Sequence, residues 1–418
     1  MQRRYLLFIV IITFLLSGSL FAGTYSGGSG TSGNPYQIAT TADLIELSNT
    51  SGDWGAYFEQ TANISFDADE TQVDWDNSGS AGPAEGFLPI GDQHQTGGTA
   101  FTGSYDGQNH TIANLFINRP SENYVGVFGV IYGDDDNEFV SNLGIINVDI
   151  TGQNAVGGIA GSKMGPLTNP SLINCYVTGQ ISGEGTVGAL AGESKYSIIE
   201  NCFSDATVHG TSFAGGFIGY AFQTTINNCY SLGDVTRTSG TDQRFGAFIG
   251  MLSDGSSNYS YATGNVFESV GVAWSSGDKG FVGSEHGTVT YTNNFFDTGS
   301  NQSSATGAIG LTSAEMQVQS NFTNWDFTNT WAMSSDISFD EYPTLQWTGA
   351  YAEAPSGSPY QITSLPNLVW VAEDNSRWSN DYEQTADLNA WTTPSWGDGK
   401  GFSPIGNSTT TFSGSYDG

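Results

Sequence analysis

Apolar residues along this chain gather in short runs that close on glycine, separated by polar stretches of Ser, Thr, Asn and Asp. The runs are VGVFG (Val125 to Gly129), VGGIAG (Val156 to Gly161), VGALAG (Val187 to Gly192), AGGFIG (Ala214 to Gly219), FGAFIG (Phe245 to Gly250) and KGFVG (Lys279 to Gly283). Their closing glycines stand 32, 31, 27, 31 and 33 residues apart. A second motif keeps the same beat: NLGIINVDI from Asn142, NCYVTGQI from Asn174, NCFSDATV from Asn201 and NCYSLGDV from Asn228. YSYATGNV from Tyr259 and NFFDTGS from Asn294 are looser copies. A fixed period of this size means stacked supersecondary units, each burying its apolar face only against its neighbours.

Helical units do not fit the pattern. The motifs are rich in Gly, Thr, Ser, Asn and β-branched residues, which disfavour helix interiors. Alternating stretches such as TTINNCY and VDITG, bounded by Gly or Asn, read as strands. A repeat of about 30 residues then holds roughly three short strands and their bends. The expected fold is all-β, a parallel β-helix (β-solenoid) of about six coils with an N-terminal capping segment. At about 4.8 Å per coil, six coils span roughly 30 Å. A propeller is the structural rival, but its blades run nearer 40 residues.

Two positions inside the repeats carry expectations. Cys175, Cys202 and Cys229 share one place in three consecutive repeats, where other copies hold Leu143, Ser260 and Phe295. A site that takes Leu, Cys, Ser or Phe reads as packed interior, so an inward ladder of reduced thiols is expected. A disulfide between adjacent coils is sterically open, though it would leave one thiol over. Gly161, Gly192, Gly219 and Gly250 close the apolar run where the chain bends. Positive φ or crowding against the adjacent coil would each demand glycine there.

Charge and the first residues place the chain outside the cytoplasm. There are 42 Asp+Glu against 10 Lys+Arg, a formal charge of −32. No basic patch exists to displace counterions from nucleic acid, and the field favours solubility and cationic partners. Arg3 and Arg4 precede the apolar run Tyr5 to Leu16, and small residues follow up to Ala22. That is the layout of a secretory signal peptide, with cleavage expected after Ala22. Leu20 at the −3 position leaves an uncleaved anchor as the alternative. The run is shorter than the roughly 20 residues of a spanning helix.

The Gly-closed element followed by N-C-Y-x-x-G-x-V resembles the GLUG motif of bacterial and archaeal surface proteins. The leading stretch carries NPYQIATTADLIELSN (from Asn34), GFLPIG (Gly86 to Gly91) and FTGSYDGQNHTIANL (from Phe101). The exit runs from NFFDTGSNQSSA to YPTLQW at Trp347. Both are similar to segments that flank such arrays. The resemblance implies a secreted or cell-surface location and an adhesin-like or structural role, and supplies no catalytic residues. Some metallopeptidases that cleave immunoglobulin A carry these repeats as accessory modules.

No peptidase chemistry matches. His94, His110, His209 and His286 form neither H-E-x-x-H nor a helical ligand pair, and read as exposed loop residues. Neither a G-x-S-x-G elbow nor a phosphate-cradling loop occurs. No catalytic or cofactor-binding residue is singled out. The enzymatic alternative is a polysaccharide-active β-helix, with a glycosidase using two opposed carboxylates ahead of a lyase. Asp134, Asp136 and Glu138 are candidate ligands of a structural Ca²⁺, as are the acids from Asp67 to Asp76, against the reading of solvated bends. Trp54, Trp75, Trp274, Trp391 and Trp396 sit in polar, Gly-rich stretches, where a ring either stacks on sugar or plugs an end or corner of the solenoid. The expected partner is a glycan or another surface protein, with no nucleic acid and no membrane insertion of the mature chain.

A longer self-similarity overlies the short one. SPYQI (Ser358 to Ile362) repeats NPYQI (Asn34 to Ile38) at an offset of 324, and YEQTADL (Tyr382 to Leu388) repeats FEQTANI (Phe58 to Ile64) at the same offset. FSGSYDG (Phe412 to Gly418) answers FTGSYDG (Phe101 to Gly107). The organisation expected is signal peptide 1–22, Gly/Ser-rich linker 23–33, capping segment 34–122, repeats 123–296, closing segment 297–347, linker 348–357 and the start of a second copy at 358–418. The native chain is then expected to run on past Gly418.

Overall fold

The computed structural model describes residues 23–66, 85–91, 99–133, 139–165, 168–334, 342–350, 352–388, 390, 393 and 402–418. One column of pairing runs the length of the array. Tyr36 pairs with Phe58, Phe58 with Tyr105, Tyr105 with Val140 and Val140 with Leu172. Leu172 pairs with Ile199, Ile199 with Ile226, Ile226 with Ser257 and Ser257 with Tyr291. Every step is parallel. The parallel β-solenoid therefore has about nine turns, where the sequence suggested about six. The stretch 34–122, expected as a cap, supplies the three extra coils. Its partners stand 22, 47 and 35 residues apart, so loops of unequal length hide the period.

A six-stranded parallel sheet is built from Phe128–Tyr132, Ala160–Met164, Ala191–Lys195, Ile218–Phe222, Ile249–Ser253 and Val282–His286. A five-stranded sheet of two- and three-residue strands, from Asn123–Val125 to Phe245–Gly246, lies before it in each coil. The repeat glycines stand where these two sheets meet. None of Gly161, Gly192, Gly219 and Gly250 has positive φ. Crowding demands them. A Cβ on Gly161 would come 2.4 Å from the Tyr124 carbonyl carbon, on Gly192 2.3 Å from the Val156 nitrogen, and on Gly219 2.5 Å from the Val187 nitrogen. On Gly250 it would come 2.5 Å from the Gly219 carbonyl oxygen. Each meets backbone of the preceding coil, which cannot swing aside.

Left-handed backbone falls instead at the corner that opens the second motif. Asn142, Asn174, Asn201 and Asn228 have φ of 52–54°, a conformation Asn tolerates better than most residues. Tyr259 and Asn293 continue the row. The last copy thus starts at Asn293, one residue earlier than the sequence suggested. One residue past the corner, Cys175, Cys202 and Cys229 are fully buried and unbridged. The Cys175 N–H donates to Cys202 Sγ and the Cys202 N–H to Cys229 Sγ, both at 3.4 Å. The Cys229 N–H donates to Ser260 Oγ (3.1 Å), and the Ser260 N–H to Asn294 Oδ1 (3.0 Å). Asn294, not Phe295, therefore holds the aligned position. Burial pushes the Cys175 and Cys202 thiols well up, so they stay protonated.

Alternation turns the next residue outward. Tyr176, Phe203, Tyr230 and Tyr261 stack nearly parallel at 4.8, 4.8 and 5.0 Å between ring centres. The closing segment does not cap the rod's end alone; it runs back along this flank. Trp325 and Phe322 meet Phe295, Trp331 meets Tyr230 and Tyr261, and Trp347 meets Tyr176 and Phe203. Polar anchors fix it. Tyr261 Oη donates to the Pro343 carbonyl (2.8 Å), Tyr342 Oη to Asp297 (2.7 Å) and Trp347 Nε1 to the Asn201 carbonyl (3.0 Å).

Antiparallel segments cover both ends. Gly27 bridges Gln37 beside the first strand, so the stretch 23–33, expected as a linker, is paired. Ala305 and Thr306 bridge Lys279 and Val282 at the other end. The strands Tyr360–Ile362, Tyr382–Gln384 and Tyr416–Asp417 form a separate small parallel sheet, in which Tyr360 pairs with Tyr382 and Tyr382 with Tyr416. Among the described residues no helix is long and apolar enough to cross a membrane.

Three outcomes are expected of this packing. Replacing Gly219 with Val forces backbone apart between coils and should cost about 1–3 kcal/mol or more, read as a lower denaturation midpoint. Trp331→Ala should cost about 3–5 kcal/mol and raise fluorescence of an apolar dye as the flank opens. A thiol reagent should titrate three groups in denaturant and none rapidly in the native protein.

Candidate functional site

Among the described residues, those singled out for chemistry are not brought together. Asp134, Asp136 and Glu138 lie outside the described residues, as do the acids from Asp67 to Asp76, His94, Trp75, Trp391 and Trp396. The other histidines stand in strands rather than loops. His110 Nδ1 lies 3.2 Å from Asn63 Oδ1, His209 is half-buried in the strand Phe203–Gly210, and His286 Nδ1 lies 3.3 Å from Ser253 Oγ. Burial lowers the pKa of His110 and His209, favouring the neutral ring. Among the described residues no three His, Cys, Asp or Glu side chains gather to hold a metal.

Of the candidate tryptophans, Trp54 and Trp274 are buried. Trp54 Nε1 donates to the Leu47 carbonyl at 2.7 Å. Trp274 packs on Phe245 at 5.2 Å, with the Arg237 guanidinium 4.7 Å and Lys279 Nζ 5.7 Å from its ring centre. Neither offers a face to a ligand.

What solvent meets in part is the six-stranded sheet just past each closing glycine, where Val130, Ser162, Glu193 and Ser253 are buried and the other outward residues are half-exposed or exposed. Two rows of residues run across it in register. One is Tyr132, Met164, Lys195, Phe222, Ser253 and His286; the other is Val130, Ser162, Glu193, Tyr220, Met251 and Ser284. Between them Ile131, Lys163, Ser194, Ala221 and Leu252 are fully buried. Tyr132 is 40% exposed and Tyr196, the residue after Lys195, 46%. Phe222 stands edge-on to Tyr196 (5.3 Å) and 6.5 Å from Tyr220, whose ring meets Phe213 at 5.9 Å. These residues make a partly exposed aromatic surface of the kind that marks interaction sites. At about 4.8 Å per strand, Tyr132 and Phe222 lie roughly 14 Å apart along the row.

Two cations lie on the aromatic rings, and each is neutralised locally. Lys195 Nζ sits 5.9 Å from the Tyr220 ring centre and 2.6 Å from Glu193 Oε2. The Arg244 guanidinium covers the Phe213 ring at 3.5 Å and pairs with Asp242. Burial opposes the Asp242 charge, but hydrogen bonds from Arg244 and Ser212 outweigh it and bring the carboxyl down to about 2. Tyr196 holds φ of 53° at a corner shared with Gln223, Asp254 and Gly287. A bulky residue is rare in that conformation, and such strain concentrates at functional sites. The signal was present in the sequence. Aromatic, Met and Lys residues recur at the third place after the closing glycine, as in GVIY, GSKM, GESKY and GYAF.

The family described as the GLUG motif matches residues 210–236, which span the Gly219 element and the corner at Asn228. Halomucin of Haloquadratum walsbyi is 38% identical over 153 residues, 36% of this chain. A candidate Gly-rich membrane protein of Evansella cellulosilytica is 32% identical over 169 residues, 40% of this chain. The matches span only 2% and 18% of those two proteins. Among solved structures, a candidate immunoglobulin A1 protease from Bacteroides ovatus superposes with a TM-score of 0.50 at 22% identity, covering 77% of this chain and 95% of that one. At that identity the likeness is one of fold. In motif and in fold, this chain resembles the GLUG-motif repeat proteins.

Proposed function

We propose that the chain is an exported, cell-surface structural module whose adhesive face is the aromatic side of the six-stranded sheet, and that this face takes a neutral glycan. The observation that carries the reading is the group of exposed and half-exposed rings on one side of the six-stranded sheet: Tyr132 and Phe222 in one row, Tyr220 in the other and Tyr196 at the corner just beyond Lys195. Flat apolar rings with a polar rim suit the C–H faces and hydroxyls of a sugar. Preformed strands hold them without ordering entropy at the moment of binding. Lys195 and Arg244 stand paired with Glu193 and Asp242, so the face has no spare cation for a uronate or sulfate. The formal charge of −32 further disfavours polyanionic glycans. Similarity to halomucin and to a Gly-rich membrane protein supports the surface location, as does the apolar leader ending at Ala22.

The test is retention of the whole exported protein on immobilised glycans. Neutral polysaccharides should retain it, and Tyr132→Ala with Tyr196→Ala should weaken retention at least about tenfold, roughly the worth of losing two partly exposed ring contacts. Both rings are exposed, so the melting temperature should hold. Equal retention of the variant would overturn the assignment of the face. Release of reducing ends would instead make the chain an enzyme.

A further inference from the structure

The N-terminal edge of the solenoid carries two carboxylates, Asp53 and Glu46, with no matching cation among the described residues. Gly23 lies at the start of the antiparallel segment that covers the first strand, and its backbone N–H donates to Asp53 Oδ2 at 2.7 Å. Tyr25 Oη donates to the same oxygen at 3.0 Å. Glu46 stands beside them. A Cβ on residue 23 would come 3.0 Å from Glu46 Cγ and 2.7 Å from Tyr25 Cζ, so the notch fits glycine. Among the described residues no Lys, Arg or His pairs with Asp53 or Glu46; the neighbouring titratable groups are Tyr25 and Tyr36, and Glu46 accepts only from Thr50 Oγ1 (3.4 Å). Two acids thus face a neutral amide.

The second copy supplies an internal control. At the constant offset of 324, Trp54 corresponds to Trp378, and each indole donates to the carbonyl seven residues earlier, 2.7 Å to Leu47 and 2.9 Å to Val371. The helix Thr41–Asn49 corresponds to Leu365–Glu373. Yet Asp53 becomes Arg377 and Glu46 becomes Trp370, with the guanidinium 4.0 Å over the indole. In that copy the chain arrives through a continuous peptide, where no free amine can arise. The carboxylate pair is present only in the copy that adjoins the leader.

We infer that the peptide bond between Ala22 and Gly23 is the processing site, and that its hydrolysis creates the Gly23 α-ammonium as the missing cation, which locks onto Asp53 beside Glu46. An export-associated endopeptidase supplies the catalysis and water the co-reactant. The water oxygen adds to the Ala22 carbonyl carbon, the C–N bond breaks, Ala22 leaves as a carboxylate, and the Gly23 nitrogen keeps the bonding pair and takes up both of the water's protons. The existing N–H···O contact becomes charge-assisted, roughly twice as strong as its neutral form. Removal of the leader then fastens the segment that covers the open edge of the first coil.

The experiment has two readouts on the whole protein recovered after export. N-terminal sequencing should begin at Gly23. The α-amino group, followed by pH-dependent acylation, should titrate at least about one unit above the ordinary ~7.7–8.0. Asp53→Asn should return it to the ordinary range, and a form that retains Ala22 should melt lower. The sign follows from the raised value: the stabilisation is full below pH about 8 and is lost as pH rises through the folded-state pKa. A different mature N-terminus, or an α-amino group of ordinary pKa in the unmutated protein, overturns the inference, even where Asp53→Asn does not fold. Retention on glycans is indifferent to either result, so the adhesive face stands or falls separately.

Discussion

A parallel coil places every residue about 4.8 Å from its counterpart in the next, and that single spacing governs what each position can hold. Like must tolerate like. Thiols do so as acceptors of the neighbouring backbone N–H, as Cys202 and Cys229 show. Aromatic rings do so because the spacing falls within the range of parallel stacking, as along Tyr176, Phe203 and Tyr230. Like charges repel along such a column, and several acids sit beside an amide or cation, as Glu200 beside Asn227 and Glu193 beside Lys195; Glu59 with Asp106 and Glu383 with Asp417 are acids that do stand in register.

The same spacing explains the covered flank. A stack of rings satisfies its faces and leaves its edges in water. The closing segment buries those edges under Trp325, Trp331, Tyr342 and Trp347. Two of its indoles find acceptors at the left-handed corner: Trp325 Nε1 donates to the Asn293 carbonyl and Trp347 Nε1 to that of Asn201, while Trp331 Nε1 is buried without one among the described residues. One three-residue motif thus makes three surfaces. Asn turns the corner, Cys fills the core and Tyr or Phe builds the flank.

Legibility followed repetition. The Gly-closed runs and the N-C-Y motif were readable because six coils keep nearly equal length, and the parallel β-solenoid followed from them. The first three coils were not readable, since insertions between Phe58 and Tyr105 stretch one turn to 47 residues. Phe295 falls in the thiol column only when the copy is aligned on Asn294; the left-handed Asn293, the pairing of Tyr261 with Phe295 and the Ser260-to-Asn294 hydrogen bond set the register one residue earlier. The flank and the exposed face were hidden for a common reason. A Tyr one place after a buried Cys and a Tyr three places after a closing Gly look alike in sequence. Which is covered depends on a segment more than a hundred residues away.

The two copies of the first coil separate what the coil requires from what its surroundings require. Both keep a capped helix, Thr40 accepting from the Asp43 N–H and Ser364 from the Asn367 N–H. Both keep the Trp that donates into the helix end, and the Tyr-Gln-Ile strand paired in the same register. These features recur because a first coil has no coil beneath it, and a solenoid end must close its own edge. Each also has an antiparallel bridge beside that strand, Gly27 with Gln37 and Ser356 with Gln361. An antiparallel partner ends the parallel ladder and blunts the edge against further pairing. The copies differ within that set only conservatively, Thr40 and Asp43 of the cap becoming Ser364 and Asn367, whereas outside it Asp53 and Glu46 become Arg377 and Trp370 and reverse or remove the charge.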